Sequence, residues 1–160
     1  MTPTACSAQL RLATLADVEA LFAVRLAVTD NVLTREQLAD LGITPASIAE
    51  LLAAAPCAWV VEVDGEVVGF SLVDLVAGEV FALFVRPEWQ AQGFGARLLA
   101  AAETALFRKH ALIWLVTDGA PSVRANAFYQ AQGWRQVAQL QGTDVRYEKS
   151  RSVEQHVEAT

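Results

Sequence analysis

Between residues 79 and 109 the chain passes through an apolar run, a proline, a polar loop holding two glycines, and a long stretch of helical periodicity. Nothing else in the sequence restricts the fold as much. The run Glu79 to Arg86 (EVFALFVR) reads as a strand that Pro87 closes, because proline cannot donate to a sheet ladder. Gly95 to Lys109 reads as a helix. Leu98, Leu99, Ala102, Ala105 and Leu106 fall on one face, and Arg108 and Lys109 stand in the last turn, where cations oppose the helix dipole.

The flanking sequence supplies further elements. Gln9 to Ala13 alternates as a short strand does. Thr14 with Asp17 resembles a capping box opening a helix whose Leu15, Val18, Phe22 and Leu26 share a face. Thr34 to Asp40 forms a short helix ended by Gly42, and Thr44-Pro45 caps another carrying Ile48, Leu51 and Leu52. Asp64-Gly65 is a two-residue hairpin turn between strands at Ala58 to Val63 and Glu66 to Leu75. Leu112 to Thr117 is a strand, Ser122 caps a helix to Gln132, and Trp134 to Leu140 with Asp144 to Lys149 make a closing hairpin. This order predicts an α/β (α+β) domain with a mixed sheet, one domain over residues 1–150 and a polar tail at 151–160.

At 160 residues and 54% hydrophobic composition the chain can build a substantial core. No apolar run reaches the roughly 20 residues of a membrane span, and the N-terminus lacks the pattern of a secretory signal, so a soluble, cytoplasmic protein is expected. Cys6 and Cys57 are too few for a disulfide framework, and with only His110 and His156 no metal site is expected. A net charge of −6 argues against a nucleic-acid surface and suits either solubility or the steering of a cationic substrate such as an amine.

Gly93 and Gly95 sit where the strand-loop segment enters the helix. Such glycines turn the chain tightly, and they also let an anion reach the amides and positive dipole of a first helical turn. No Gly-Lys-Ser/Thr follows, which excludes a P-loop, and Leu98 occupies the third glycine position of a dinucleotide fingerprint.

Gln90-x-x-Gly93-x-Gly95 after a strand ending Val-x-Pro resembles the pyrophosphate loop of the GCN5-related N-acetyltransferases (GNAT). Ser122-Val123-Arg124-Ala125-Asn126-Ala127-Phe128-Tyr129 through Gly133-Trp134 resembles a second stretch of that family, at the right distance. Val68-Gly69-Phe70 adds a weaker match. The resemblance implies a GNAT fold, a mostly antiparallel sheet of six to seven strands flanked by about four helices. It implies acetyl-CoA as co-substrate, with Phe84 and Val85 beside the pantetheine arm. Backbone amides of Gln92, Gly93, Phe94, Gly95 and Ala96 would hold the pyrophosphate, with Gln90, Ala91, Ser122, Asn126 and Tyr129 as further cofactor contacts. Ala91 and Gln92 stand where the family commonly has glycine and a basic residue, which leaves more of the binding to amides and dipole, with Arg86 or Arg97 as nearby cations. Ser122 replaces a frequent asparagine, for which Asn126 could stand in, and Phe81 occupies a position where some members carry a glutamate base.

Acyl transfer to an amine requires a deprotonated amine and a protonated leaving thiol. Tyr129 matches the family's tyrosine acid, the competing role being core packing. Glu79, on the same strand face as Phe81, is the candidate base, against a solvated strand-end carboxylate; Asp118 is its rival. The resemblance implies that a backbone N–H near Phe84 polarises the carbonyl. Asn31, Trp59 and Phe81, with Trp89, are candidates to line the acceptor site, or core aromatics. The sequence thus points to an N-acetyltransferase acting by direct attack on a small-molecule or peptide amine, or to a non-catalytic acyl-CoA sensor. Members often pair, so a homodimer is compatible.

Overall fold

A computed structural model describes residues 7–29, 32–120 and 124–152. The strands are β1 (Ala8–Leu12), β2 (Ala58–Val63), β3 (Glu66–Asp74), β4 (Glu79–Val85), β5 (Leu112–Asp118), β6 (Arg135–Gln139) and β7 (Asp144–Ser150). The α-helices are α1 (Val18–Ala27), α2 (Arg35–Asp40), α3 (Pro45–Ala54), α4 (Phe94–Phe107) and α5 (Ala125–Ala131). The sheet has seven strands in the order β1-β2-β3-β4-β5-β7-β6. β4 and β5 run parallel, whereas β1–β2, β2–β3, β5–β7 and β6–β7 are antiparallel. The parallel pair is the signature of a helical crossover, supplied by α4.

Contacts group the chain into two compact units, one of Met1–Leu72 with Ala82–Ala102 and the other of Val73–Phe81 with Glu103–Thr160. In the first, β3 is buried along almost its whole length. The β2–β3 register passes from Val61↔Gly69 to Glu62↔Val67, leaving Val68 as an extra residue on β3. Val61, Val63, Val68, Val85, Phe94 and Leu98 form one apolar cluster. Gly69 is required there. A Cβ on it would lie 3.1 Å from each of Leu98 Cδ1, Val85 Cγ2 and the Phe84 carbonyl oxygen. Two residues on, the buried Ser71 hydroxyl donates to the Leu98 carbonyl at 3.1 Å, fastening α4 to the strand.

At the other edge of this unit Asp17 is buried and accepts two bonds from the Arg11 guanidinium, at 2.8 and 3.0 Å, and one from the Thr14 N–H at 2.7 Å. Arg11 also reaches Glu62 at 2.7 Å. The expected capping position at Thr14 is real, yet residues 15–17 form a single 3₁₀ turn before α1 begins. Leu15 is therefore 57% exposed, and the buried stripe of α1 is Val18, Leu21, Phe22, Val24 and Arg25. Leu51 of α3, expected inside, is likewise exposed, while Ile48 is buried.

In the second unit, α4 contributes Glu103, a buried carboxylate that the apolar periodicity concealed. It accepts from Lys149 Nζ at 2.8 Å and from Trp134 Nε1 at 3.0 Å, so its charge is paired and hydrogen-bonded, as burial demands. α5 begins at Ala125 after Arg124, two residues later than expected, and Ser122 lies outside the described residues, as do Cys6, Asn31 and His156. No helix among the described residues is long and apolar enough to cross a membrane.

The Arg11 bonds hold the Asp17 carboxyl below its usual 3.8, against the opposing pull of burial. A depressed carboxylate stabilises the fold above its unfolded pKa, and that contribution is lost as pH falls through the lower, folded value. Asp17→Asn should cost about 2 kcal/mol at pH 7 and flatten the decline in stability below about pH 4. Urea midpoints measured across pH would show the difference; parallel curves for the two proteins would contradict it.

Candidate functional site

In the first unit, β4 ends at Val85 and the chain turns through a short 3₁₀ segment, Pro87–Trp89. The Arg86 N–H donates to the Val68 carbonyl at 2.8 Å, anchoring the exit of the strand. Gln90 then folds back, its Nε2 donating to the Val85 carbonyl at 3.0 Å. The motif glutamine thus closes the loop upon its own strand. Ala91 (φ 62°) and Gly93 (φ 86°) both adopt the left-handed conformation. Glycine does so without strain; alanine does not, which accounts physically for the preference for glycine where Ala91 stands.

Gly93 leads directly into α4. The Arg97 N–H bonds the Gly93 carbonyl at 3.2 Å, so the N–H groups of Phe94, Gly95 and Ala96 precede the first bond of the helix. The first turn holds no acidic side chain. A Cβ at Gly93 would meet nothing within 4 Å, so the approach to these amides is open. Phe94 is buried and packs against Trp89 with ring centroids 6.3 Å apart, which fixes the helix end. Oriented amides, a positive dipole and open space at Gly93 are the features that backbone anion binding requires, and Arg97 is exposed beside them. Phe84 packs on Phe70 at 5.8 Å, and the Arg25 guanidinium lies 4.4 Å from its ring centroid. Trp59 and Trp89 pack against the apolar cluster of this unit.

In the second unit Tyr129 is buried on α5, its ring 5.3 Å from Phe128, 5.8 Å from Tyr147 and 6.1 Å from Trp134. Burial, helped by Tyr147, raises its phenol well above the ordinary tyrosine value, so the hydroxyl keeps its proton at any working pH. Asn126 is a strut. Its Nδ2 donates to the carbonyls of Asp118 (2.9 Å) and Ala120 (3.3 Å), and its Oδ1 accepts from the Tyr147 hydroxyl at 3.0 Å. A cofactor contact from this side chain would have to share it with those partners.

Glu79 pairs with Trp114 across the parallel strands. Burial first, and then Asp74, raise its carboxyl above the usual range, while Arg146 pulls it down. Asp118 goes the other way: the Ala120 N–H, at 2.9 Å, and the Thr143 side chain lower it. A raised carboxyl is the stronger base, which favours Glu79 over Asp118. Phe81, two residues beyond Glu79, is 45% exposed and so is not a core aromatic. Among the described residues no group of three or more His, Cys, Asp or Glu is arranged to hold a metal ion.

Residues 54–136, just over half of the chain, match the family model described as an acetyltransferase (GNAT) domain. The chain belongs to the GNAT family. An uncharacterized N-acetyltransferase of Archaeoglobus fulgidus is 40% identical over 88 residues, which cover 48% of this GNAT chain and 58% of that protein. The match therefore spans less than two thirds of that relative. Among solved structures, the PaiA N-acetyltransferase of Thermoplasma acidophilum, in complex with coenzyme A, has a TM-score of 0.73 at 19% identity, over 91% of this chain and 99% of that one. The ribosomal-protein-S18-alanine N-acetyltransferase of Escherichia coli has a TM-score of 0.70 at 16% identity, over 92% and 96%. At these identities the likeness is one of fold.

Three site-forming features escaped the sequence reading of this GNAT chain. Tyr147 looked like an ordinary strand residue, though its alternation with Val145 marked it as inward-facing. Gly119 sits where a Cβ would come 2.5 Å from Val145 Cγ1, a closeness no local pattern reveals. Trp114 and Arg146, stacked with the guanidinium 4.4 Å from the ring centroid, come together only through the β5–β7 register.

Because Ala91 is exposed and its cost is purely backbone strain, Ala91→Gly should stabilise the protein by about 0.5–1 kcal/mol, the remainder being offset by a more flexible unfolded chain. A lower thermal midpoint in that variant would contradict the left-handed geometry.

Proposed function

We propose that this chain is an acetyl-CoA-dependent N-acyltransferase that transfers an acetyl group to a primary amine of a small molecule or peptide, by direct attack in a ternary complex. The observation that carries this reading is the first turn of α4. Its amides precede the first helical bond, its dipole is uncompensated by acidic residues, and Gly93 leaves the approach open. Those features fit a pyrophosphate, with the N–H groups of Phe94 to Ala96 as donors and Arg97 beside them. Gln92 brings no charge, so the amides and dipole provide most of the attraction. The match to the GNAT family model and the coenzyme A complex of a structural neighbour support the same reading.

Acetyl-CoA supplies the activated thioester. Glu79 takes the proton of the incoming ammonium through water, since its carboxyl is raised toward the working range. The Tyr129 hydroxyl, kept protonated by burial, gives its proton to the departing sulfur and regains one from the amine nitrogen, whose second proton is released as the amide forms. A thiolate, whose thiol has a pKa of about 8.5, is a weaker base than a phenolate, so this transfer is uphill and depends on the phenol being positioned before the sulfur leaves. A backbone N–H near Phe84 is the candidate for carbonyl polarisation. The lean charge of the loop keeps a second reading in play, an acyl-CoA sensor that binds without turnover.

Thiol release from acetyl-CoA across polyamines, amino acids, aminoglycosides and short peptides, run beside thermal shift, separates the two. Turnover with one acceptor class is expected. A thermal shift without turnover on any acceptor favours the sensor. Tyr129→Phe should lower kcat about 10²-fold and leave the acetyl-CoA thermal shift intact. Unchanged turnover in that variant removes the phenol from the reaction.

A further inference from the structure

The second unit presents an ordered polar arrangement on the same sheet face as Glu79. Trp114 stands opposite Glu79 across β4 and β5, and the β5–β7 register places Trp114 against Glu148 and Val116 against Arg146. Paired residues point to the same face of a sheet, so Glu79, Trp114, Arg146 and Glu148 share one. Arg146 does not wave in solvent. Its guanidinium lies 4.4 Å from the Trp114 ring centroid, and its Nε donates to Glu148 Oε2 at 3.1 Å. The indole is itself pinned, its Nε1 donating to the Ala77 carbonyl at 3.0 Å.

That carbonyl belongs to the turn leading into Glu79. Asp74 Oδ1 accepts from the N–H groups of Val76 and Ala77, both at 3.0 Å, which closes the turn. His110 packs on the turn from the other strand connection: its ring is 3.1 Å from where a Gly78 Cβ would be, and its Nε2 meets the Leu75 carbonyl at 2.8 Å. The charged or titratable neighbours facing Glu79 are therefore Asp74 and His110 from the turn and its packing partner, and Arg146 and Glu148 from β7. Asp118 and Asp144 pair at the far end of the two strands, four residues or about 13 Å along.

Resting on the reading of Glu79 as the base, we propose that Arg146 is a positioning residue for the reaction. Clamped between Trp114 and Glu148 on the same sheet face as Glu79, one strand beyond Trp114, it keeps a guanidinium at a fixed place relative to the Glu79 carboxylate and, against the opposing charge of Asp74, fixes the pH at which that carboxylate becomes able to accept a proton. The stack on Trp114 matters because a flexible cation would be screened and would average over many positions, whereas a clamped one acts at a single distance.

The opposing pulls of Arg146 and Asp74 on this carboxyl make the assignment testable in both directions. The carboxyl of Glu79 is followed by carbon-13 NMR in the full chain, and the acidic limb of kcat/KM is recorded with the best acceptor. Arg146→Met should move both upward, and Asp74→Asn, which retains the turn-closing oxygen, should move both downward. Arg146→Lys should restore part of the shift. Because Asp74→Asn works through a different residue, it keeps the test decisive where Arg146→Met folds poorly. A Glu79 carboxyl that titrates unchanged in Asp74→Asn and Arg146→Met overturns the inference, whether or not any acceptor is turned over. A limb abolished by Glu79→Gln but unmoved in the other variants overturns it alone. A limb that survives Glu79→Gln removes Glu79 from the reaction, and the positioning role with it.

Discussion

The close contact of α4 with β3 governs the geometry of the helix's first turn. A helix can lie this near a strand only where the strand offers no side chain, and Gly69 provides that gap against Leu98, Val85 and the Phe84 carbonyl. The Ser71 hydroxyl then ties the Leu98 carbonyl at 3.1 Å. Leu98 belongs to the turn right after the three amides that precede the first helical bond. A displaced α4 would carry those amides with it, and a phosphate site made of backbone dipoles tolerates little displacement. The extra residue Val68 belongs to the same construction, since it sets the phase in which Gly69 and Ser71 meet the helix. The Val68-Gly69-Phe70 resemblance, the weakest part of the sequence comparison, turns out to have the firmest steric cause.

Much of the architecture was legible because local chemistry and long-range order agree. The Asp64-Gly65 turn, the Pro87 stop and the cap residues Thr34 and Thr44 each act within a few positions, and each element lies within a few residues of its expected bounds. The errors have physical reasons. Helical spacing placed Leu15 inside, but a 3₁₀ turn has a different period, so the side chain rotates outward. Glu103 was invisible because its partners, Lys149 and Trp134, are some thirty to forty-six residues away. The turn from β4 into α4 was readable from Gln90, Gly93 and Gly95. What no pattern conveyed was how Gln90 is used: it bonds the Val85 carbonyl and shapes the loop.

The second unit illustrates how aromatic packing and acid-base chemistry compete for the same residues. Tyr129 sits in a ring of Phe128, Trp134 and Tyr147, which on packing grounds alone explains its burial. Yet that burial also keeps the phenol protonated, so packing and a retained proton are two consequences of one environment. Asn126 ties the start of α5 to the end of β5 by donating to the Asp118 carbonyl at 2.9 Å, and to β7 by accepting from the Tyr147 hydroxyl at 3.0 Å. Glu79 is the counterpart on β4, where partial burial pushes a carboxylate toward basicity.

The four tryptophans are shared evenly between the units: Trp59 and Trp89 in the first, Trp114 and Trp134 in the second. Their surroundings differ in ways that light can distinguish. Trp134 is buried and donates to a carboxylate, whereas Trp114 lies under a guanidinium at the sheet surface. Intrinsic fluorescence from single-tryptophan versions of the chain would thus carry separate optical signatures for each half. The molecule comes with its own means of revealing whether the two halves melt as one cooperative body or in succession.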